Sequence, residues 1–353
     1  MRNLATIRKI VDIQPIEGKD RIALATVDGW HVIIQKNDFK VGDLCVYCEI
    51  DSVLPEKPEF EFLRKRDFRI RTMRMAGVIS QGICFPLSIL PSKKVGYFVG
   101  DDVTDVIGVT QYIPTMDVEP EPVKKSWLMR FKWYRKIMKR KRPKKATFPK
   151  FVKKTDETRI QDMPYILDIP AKWTVTEKVD GQSGTFALEK KRTLFGPKYK
   201  YYVCSRNLCI PKPDNSSYWK VSEKYDIENV LKKLIGNNDW IAIQGECIGP
   251  GIQKNKYKLT EYDMYVFNLI TSSENRLTST RAKKIIEDAG LKFVPILGTN
   301  INLNGETVDE VVELADGDSV IGDTLREGFV FRSEDGRQSF KAVSNKFLLH
   351  YYE

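Results

Sequence analysis

Residues 173–188 constrain this chain more than any other stretch, because they place a single lysine where a strand meets a glycine-bearing turn. Apolar and polar residues alternate on both sides of the turn, which predicts strand, tight turn, strand. Lys178 would end the first strand, and Asp180 would face the same side. Such an amine can attack phosphorus if burial or a neighbouring cation keeps it neutral, and Gly181 would let a ligand approach the backbone. The alternative is an exposed turn with a solvated lysine, because the Lys-x-Asp-Gly pattern alone is weak.

Five further motifs follow Lys178 along the chain. They are 205–207 (Ser-Arg-Asn), 245–249 (Gly-Glu-Cys-Ile-Gly), 265–268 (Tyr-Val-Phe-Asn), 327–331 (Glu-Gly-Phe-Val-Phe) and 340–347 (Phe-Lys-Ala-Val-Ser-Asn-Lys-Phe). In this order, the set resembles motifs I, Ia, III, IIIa, IV and V of the nucleotidyltransferases that form a covalent lysyl-AMP. That superfamily contains DNA ligases, RNA ligases and mRNA capping enzymes.

The composition fits two ordinary globular domains and excludes several other classes. The 353 residues are 42% hydrophobic, which argues against general disorder. The absence of a long apolar run or a signal sequence leads us to expect an intracellular, cytoplasmic protein that does not bind a membrane. The six cysteines, including the lone C-x-x-C pair Cys45 and Cys48, predict reduced thiols rather than a zinc or redox site. With only His31 and His350 available, lysine and carboxylate chemistry is favoured over histidine chemistry.

Residues 1–112 are expected to form an all-β, OB-like barrel that binds nucleic acid. Short strands alternate with Gly, Asp and Pro turns; for example, strands at 23–27 and 30–34 flank the hairpin signal Asp28-Gly29. A group of cations with one ring would suit a loop facing nucleic acid, and the alternative is a solvated basic loop. Its members are Arg64, Lys65, Arg66, Phe68, Arg69, Arg71 and Arg74.

Residues 113–154 form the predicted linker, and the part from 123 to 154 is the most basic stretch of the chain. It contains fifteen Lys or Arg and no Asp or Glu, whereas the whole chain has a net charge of +11. Apolar residues recur at three- and four-residue spacing before Pro143, which predicts a basic amphipathic helix. We favour contact with phosphates. A membrane surface, a partner protein or one of the chain's own domains are the alternatives.

Residues 155–353 are predicted to form an α+β nucleotidyltransferase domain of antiparallel, ATP-grasp-like sheets around a nucleotide cleft. Helices are expected at 227–236 and 279–290, each ending at a glycine and the second beginning with a hydroxyl cap. The Gly-rich loop 249–254 lacks the Gly-Lys-Ser/Thr ending of a P-loop, and no Rossmann fingerprint is present. ATP would therefore bind in neither of these two common folds.

The resemblance implies a role for each motif residue. Lys178 would be the nucleophile that takes AMP from ATP, with Mg²⁺ (or Mn²⁺) as the second cofactor. Asp180, Glu246 and Glu327 would hold the metal, partly through waters, and Glu246 could instead accept a hydrogen bond from the ribose. The other nucleotide-binding residues would be Glu177 at the adenine, Gly181, Arg206 at the ribose or an incoming 5′-phosphate, Phe267 stacked on the adenine, Lys341 at the α-phosphate, and Lys346. Outside the motif context, Phe267 would be a core residue and the charged residues would be surface partners.

The domain order is similar to one branch of the superfamily. DNA ligases and capping enzymes carry their OB module after motif V, whereas here it comes first and the chain ends soon after Lys341. Together with residues 155–161, nearly the whole chain resembles the fifth of the ATP-dependent RNA ligase families. Such enzymes adenylate their lysine, pass AMP to a 5′-phosphate and let a 3′-hydroxyl displace it, sealing nicks with RNA on the 3′-hydroxyl side. One departure is that Val343 replaces the second lysine of a Lys-x-Lys motif V, with Lys346 as a candidate substitute.

The leading hypothesis is an ATP-dependent RNA ligase that acts on RNA or an RNA-containing duplex, with no obligate protein partner. The main alternative is a non-catalytic RNA-binding protein on a degenerate nucleotidyltransferase fold. The intact set Lys178, Glu246, Glu327 and Lys341 argues against it. A capping guanylyltransferase is disfavoured because no module follows motif V. The sequence leaves open the physiological RNA, the choice between nicks and single strands, and the oligomeric state.

If residues 123–154 contact phosphates, RNA binding should weaken steeply as salt is added. Replacing several of the lysines there with Gln should flatten the slope of log affinity against log salt by about 0.9 for each lost phosphate contact on a duplex. Filter binding over a salt series measures this slope. An unchanged slope would exclude the segment from RNA binding.

Overall fold

The structure is a computed structural model that describes residues 3–92, 96–112, 147–154, 156–212, 214–274 and 276–352. The predicted linker helix before Pro143 lies outside these ranges. Among the helices that the structure does describe, none is long and apolar enough to cross a membrane.

The N-terminal module is a curled antiparallel sheet, which confirms the OB-like prediction. Its strands are β1 (Ala5–Pro15), β2 (Ile22–Val27), β3 (Trp30–Gln35), β4 (Leu44–Cys48), β5 (Ser52–Val53), β6 (Thr72–Met75), β7 (Val78–Gln81), β8 (Ile83–Pro86) and β9 (Thr110–Gln111). The module also contains α1 (Thr104–Ile107) and the 3₁₀ helices Pro58–Arg66 and Leu87–Ile89. The main sheet has the order β3-β2-β1-β4-β8.

A bulge in β1 explains how this sheet curls. Between Ile10 and Asp12 the register shifts, so that one end of β1 pairs with β4 and the other with β2. The predicted turn at Asp28 is confirmed, because Val27 pairs with Trp30 across it. On the far side, the amide of Ile33 in β3 donates to the Ser80 hydroxyl in β7 at 3.0 Å and brings the two strands together.

The C-terminal domain is built from two four-stranded antiparallel sheets, as predicted. One has the order β15-β10-β16-β17 and the other β12-β11-β13-β14. The strands are β10 (Trp173–Lys178), β11 (Gln182–Thr193), β12 (Gly196–Ser205), β13 (Trp240–Ile248), β14 (Asp263–Thr271), β15 (Ile296–Ile301), β16 (Gly328–Ser333) and β17 (Ser339–Val343). The helices are α2 (Ser217–Lys224), α3 (Ile227–Leu234), α4 (Ser279–Asp288), α5 (Val308–Leu314) and α6 (Asn345–Tyr352), with 3₁₀ helices at Ile160–Asp162, Pro164–Asp168 and Gln253–Asn255.

The two strands beside Lys178 are present, but they belong to different sheets. The predicted tight turn is therefore wrong: residues 179–181 cross from one sheet to the other. The alternation of apolar and polar residues correctly predicted both strands. It could not predict how they pair, because the partners of each strand lie far away in the sequence. β10 pairs with β15 and β16, and β11 pairs with β12 and β13.

Both predicted helices form, at Ile227–Leu234 and Ser279–Asp288. Gly236 and Gly290 follow them with positive φ angles of 49° and 79°, the backbone region that favours glycine after a helix. The expected hydroxyl cap is wrong, because the residue before α4 is Thr278 and its side chain makes no capping hydrogen bond.

The OB module and the catalytic core share buried contacts. Val343 and Leu348 of the core pack within the hydrophobic cluster of the OB module, and Tyr352 packs against it. Gly29 donates its amide to the Gln161 carbonyl at 2.9 Å. A Cβ at Gly29 would lie only 2.8 Å from the Cα of Gln161, so this contact requires a glycine.

Asp162 makes a partly buried polar link between the two domains. Its Oδ1 accepts from the buried Trp30 indole at 2.9 Å and lies 3.2 Å from the Arg8 guanidinium. Asp162→Ala should lower the free energy of unfolding by about 2 kcal/mol, because it leaves a buried donor without its acceptor. Urea denaturation monitored by tryptophan fluorescence measures the change.

The matched control is Asp309→Asn, which weakens the more exposed pair between Asp309 and His31. This change should lower the unfolding free energy by less than about 1 kcal/mol. Equal losses from the two variants would contradict a special role for the Asp162 link.

Candidate active site

One cleft of about 610 Å³ collects most of the predicted site residues. It lies between the two sheets of the catalytic core and is closed on one side by the OB module. The predicted residues that line it are Glu177, Lys178, Asp180, Gly181, Arg206, Glu246, Phe267, Glu327 and Lys341. Six motifs separated along the chain thus meet at one place.

Strand register brings the lysine and its first carboxylate together. Lys178 ends β10 opposite Gly328, the first residue of β16, so Glu327 lies directly beside it. The Lys178 Nζ is 2.6 Å from Oε2 of Glu327. Burial alone would lower the pKa of Lys178, but the charges of Glu327 and Glu246 raise it above its ordinary value. In the free protein the amine is therefore a charged ammonium.

Two further carboxylates crowd the same end of the cleft. Burial raises the pKa of Glu246 to about 8; Lys178 opposes this shift, while Glu327 and Asp180 add to it. Burial also raises the pKa of Asp180 to about 6, with Glu327 adding to the shift and Lys256 opposing it. Burial, with the repulsion among three carboxylates, thus keeps Glu246 largely protonated at neutral pH.

Lys256 is a functional candidate that the sequence analysis missed. Its Nζ forms an ion pair with Asp180. The Lys256 side chain is only 5% exposed, so this ion pair is almost completely shielded from solvent. The amine also lies 3.0 Å from the Tyr352 hydroxyl and within 5.2 Å of the Phe347 and Tyr352 ring centres. Side chains of α6 therefore position Lys256, and Lys256 in turn positions Asp180 through their ion pair. The only sequence signal was a lysine in the loop after Glu246.

A second missed residue, Asp156, joins the two cations predicted to bind phosphates. Its carboxylate lies 3.2 Å from the Lys341 Nζ and also pairs with Arg206. Burial lowers the pKa of Lys341 to about 8; Asp156 opposes this shift, while Arg159 adds to it. Residues 156–161 run beside β17, where the Lys341 amide donates to the Thr158 carbonyl at 2.8 Å. The sequence had singled out this stretch as a family feature without a contact to explain it.

Glu177 and Phe267 occupy different parts of the cleft wall. The buried carboxylate of Glu177 accepts from the Ser319 hydroxyl and from the Val320 amide, the latter at 3.0 Å. Glu177 therefore fixes the 319–320 loop. Phe267 is partly buried, and the guanidinium of Arg332 lies 6.0 Å from its ring centre and donates to its carbonyl. The ring is thus held in a fixed position at the cleft.

Two predictions need correction. Gly181 does line the cleft, but a Cβ there would lie 2.3 Å from the Cys247 carbonyl of β13, so close contact between the crossing segment and this strand is enough to require a glycine. Lys346 does not line the cleft: it lies on α6, its side chain is mostly exposed, and its Nζ is 3.8 Å from Asp316. Its position in sequence resembled that of the missing motif V lysine, but the helix turns it outward.

The OB module supplies part of the cleft wall. Arg69 and Arg71, predicted in a basic nucleic-acid-facing loop, both line it. Arg69 lies 2.6 Å from Asp51, and its guanidinium is 3.5 Å from the Tyr112 ring centre. Arg64 instead lies at the end of the 3₁₀ helix Pro58–Arg66 and pairs with Glu56 and Glu61. The predicted basic cluster is thus divided between the cleft and the outer surface.

The three carboxylates suit a hydrated divalent cation. Oxygen ligands are what Mg²⁺ and Mn²⁺ prefer, and burial together with repulsion from Glu327 raises the pKa values of Asp180 and Glu246, so a cation beside them would favour their charged forms. Over the ranges that the structure describes, no three acidic, His or Cys side chains are close enough to hold one ion directly. Because Mg²⁺ usually keeps several waters, the residues present fit an ion held partly through water.

The raised pKa of Glu246 predicts a pH-dependent stability. Between pH 4.5 and about 8 the folded protein holds a proton that the unfolded carboxyl has released, so ionisation of Glu246 costs stability as pH rises. In metal-free buffer, the wild type should lose roughly 4 kcal/mol of unfolding free energy through Glu246 between pH 5 and pH 8.5, and Glu246→Gln should not show this loss. Unfolding curves at pH 5 and pH 8.5 measure this difference. The same pH dependence in variant and wild type would contradict it.

Comparison with known proteins connects this geometry to a family. A family model described as an OB-fold domain matches residues 4–87, and one described as RNA ligase matches residues 171–344. A sequence comparison with curated proteins finds no match.

The similar solved structures include several of the RNA ligase of Naegleria gruberi. Its complex with PPi is 31% identical, with a TM-score of 0.82, covering 99% of this chain and 98% of that one. A variant with AMP and Mn is 31% identical, with a TM-score of 0.82 and 98% coverage of both chains. A variant with ATP and Mn is 32% identical, with a TM-score of 0.81 and the same coverage. The chain therefore belongs to the RNA ligase family, as an ATP-dependent RNA ligase in which an OB module precedes the catalytic core.

Proposed function

We propose that this RNA ligase seals nicks in duplexes with RNA on the 3′-hydroxyl side, through an AMP adduct on Lys178 and an AMP-capped 5′-phosphate. The observation that carries the proposal is the position of Lys178. Its amine lies in a cleft with three carboxylates near it and the cations Lys341 and Arg206 beside it. The resemblance in motif order supports the same roles.

Adenylation requires Lys178 to lose its ammonium proton. The nearest acceptor is Oε2 of Glu327, 2.6 Å from Nζ. The neutral amine then attacks the α-phosphorus of ATP, so that an N–P bond forms, the bond to the bridging oxygen breaks, and pyrophosphate leaves. ATP and a divalent metal ion are the cofactors, and the Naegleria gruberi ligase is likewise solved with ATP and Mn and with PPi.

We assign the metal to Asp180, Glu246 and Glu327. When bound there, a divalent ion offsets the carboxylate charge that keeps the Lys178 pKa raised and draws charge from the phosphate. Lys256 keeps Asp180 in place through their ion pair. Deprotonation of Glu246 precedes its use as a ligand, because burial raises its pKa to about 8.

We assign the nucleotide to the wall that contains Phe267, Glu177 and Lys341. Phe267 offers a ring at the cleft with the Arg332 guanidinium 6.0 Å from its centre, a suitable surface for stacking adenine. Glu177 lines the same cleft and fixes the 319–320 loop. Lys341 would contact the α-phosphate. Burial lowers the pKa of Lys341, and a phosphate beside it would raise this pKa again and favour the charged ammonium.

We assign the incoming polynucleotide to the side where the OB module meets the core. Arg206 is half exposed and pairs with Asp156, so it can exchange this partner for a 5′-phosphate. Arg69 and Arg71 add positive charge to the opposite wall. A strand that reaches Lys178 between these walls would have its phosphates near cations on both sides.

Lys178→Ala and Lys178→Arg should both lose adenylation completely, because an arginine stays protonated at any pH that the protein tolerates. Intact-protein mass spectrometry after incubation with ATP and Mn²⁺ detects the added AMP. GTP should give no adduct. The control Lys346→Ala changes an exposed lysine outside the cleft and should adenylate like the wild type.

Sealing is tested with pre-adenylated wild-type protein on nicked duplexes that carry RNA or DNA at the 3′-hydroxyl. We expect joining of the RNA-ended nick and little joining of the all-DNA nick. Adenylation by either Lys178 variant would refute the nucleophile, and equal sealing of both nicks would refute the proposed substrate.

A further inference from the structure

The hairpin of β11 and β12 extends beyond the sheet to which it belongs. The two strands pair continuously from Gly184 opposite Ser205 to Thr193 opposite Gly196. The neighbouring strand β13 pairs with β11 only as far as Glu189. The Lys190 amide still donates to the Asp239 carbonyl at 2.7 Å, so residues 191–198 project as a two-stranded ribbon. Such a ribbon alone is marginally stable in water. At its other end, the hairpin reaches the cleft through Gln182 and Ser205.

Two large apolar side chains occupy the tip of the ribbon. Leu194 and Phe195 are fully exposed, at 101% and 100% of their reference areas. Their turn is well defined: the Thr193 hydroxyl donates to the Gly196 carbonyl at 2.7 Å and accepts from the Phe195 amide at 3.3 Å. Gly196 has a φ of 102°, which favours glycine. The tip therefore presents a leucine and a phenylalanine to solvent on a tight turn.

The ribbon that carries this tip is basic. Lys191 and Lys198 lie directly opposite each other on the same face, and like charges in this position destabilise a strand pair. Lys200 follows Lys198 on that face and is exposed as well. The acidic side chain of Glu189 lies 3.7 Å from the Lys191 amine. An anionic partner would remove the repulsion that the ribbon sustains.

The same face of the sheet leads back to the cleft. Residues 147–154 cross it, with Phe151 packed edge-on against Tyr202 at 5.7 Å between ring centres. Lys150 is exposed on this segment. Lys154 donates to the Asn207 amide oxygen at 3.1 Å, and Asn207 lines the cleft. Positive charge therefore continues from the ribbon to the place assigned to the 5′-phosphate.

Protection of the sheet edge does not account for all of these features. Lysines on an edge strand such as β12 discourage pairing with other chains. That role requires neither the cation on β11 nor two apolar side chains at the tip. Cations beside an apolar wedge are instead the combination with which proteins hold phosphates and stack on bases.

We propose that residues 191–200 form a second RNA-contacting surface, on which Lys191, Lys198 and Lys200 bind phosphates, Phe195 stacks on a base and Leu194 packs beside it. This inference rests on the proposed function. The paired strands span about 30 Å from the cleft to the tip. The tip would therefore meet the substrate on the order of ten base pairs from the reacting end.

The test compares three variants of the full chain with the wild type. A tip variant combines Leu194→Ser with Phe195→Ser, and a stem variant combines Lys191→Gln with Lys198→Gln. The matched control, Lys283→Gln with Lys284→Gln, removes the same charge from α4, whose lysines pair with Glu287 and Asp288. Each pre-adenylated protein is given nicked RNA duplexes whose arms are about six or about fifteen base pairs long, shorter and longer than the reach of the hairpin.

On the long duplex, the tip variant should bind at least about fivefold more weakly than the wild type, as expected for a lost stacking contact. The stem variant should reduce the salt slope of binding by about 2, and the control should not change it. On the short duplex all four proteins should be alike, and all should form the AMP adduct equally.

The outcomes separate this inference from the function on which it rests. If the wild type seals neither duplex, the proposed function fails. If the wild type seals both and the tip and stem variants match the control on the long duplex, only the hairpin inference is overturned. If the tip variant keeps its RNA affinity but loses binding to vesicles containing phosphatidylserine, the tip is a membrane contact and the inference is again overturned.

Discussion

The pairing of β10 with β16 determines where Lys178, the proposed nucleophile, lies. Lys178 is opposite Gly328, and a shift of one residue would turn the amine to the other face of the sheet. The register is fixed from behind by a layer of rings: Phe331 stacks on Phe340 with 4.7 Å between centres, and Trp173 meets Phe340 edge-on at 5.0 Å. All three rings are buried. The geometry of the cleft therefore depends on apolar packing on the opposite face of the same strands.

A close backbone contact reinforces this register. Gly328 has a φ of 154°, and a Cβ there would lie 2.2 Å from the Ala342 carbonyl of β17. On the other side of the cleft, Gly181 approaches the Cys247 carbonyl in the same way. Both glycines belong to the motifs that singled out the site. At these two positions a glycine allows neighbouring backbone segments to approach closely. This approach brings Glu246 of one sheet and Glu327 beside the other sheet to Lys178.

Local sequence patterns predicted the individual elements well, because alternation and glycine stops depend on near neighbours. They placed a strand ending at Lys178 and the helices that became α3 and α4. Pairing between distant strands has no such local signal, and the motif order alone brought the carboxylates of Glu246 and Glu327 to the same site. The contacts of Asp156 and Lys256 depend on how loops fold over the cleft, so neither residue could be assigned a role in advance. Lys346 shows the opposite error, since a position in sequence does not specify which side of a helix faces the cleft.

In the free protein, Lys178 and Glu246 are in protonation states that do not favour reaction. Lys178 is held as an ammonium by the carboxylates that surround it, and burial keeps Glu246 largely protonated at neutral pH. ATP and a divalent ion bring opposite charges to this site, and each makes the other easier to accommodate. Arg69 and Arg71 extend the positive wall into the OB module. If the polynucleotide binds along this wall as we propose, its binding and that of the nucleotide are electrostatically linked across the two domains.

The shared core of the two domains limits how this protein can be divided or recombined. Val343 and Leu348 contribute to the hydrophobic cluster of the OB module, yet they lie in β17 and α6, beside Lys341 and the aromatic cage of Lys256. An excised catalytic core would expose these apolar residues to water and loosen the helix that positions Lys256 and, through it, Asp180. The OB module therefore acts as part of the scaffold of the proposed nucleotide site, and exchanging it for another nucleic-acid-binding domain would require a new partner for α6.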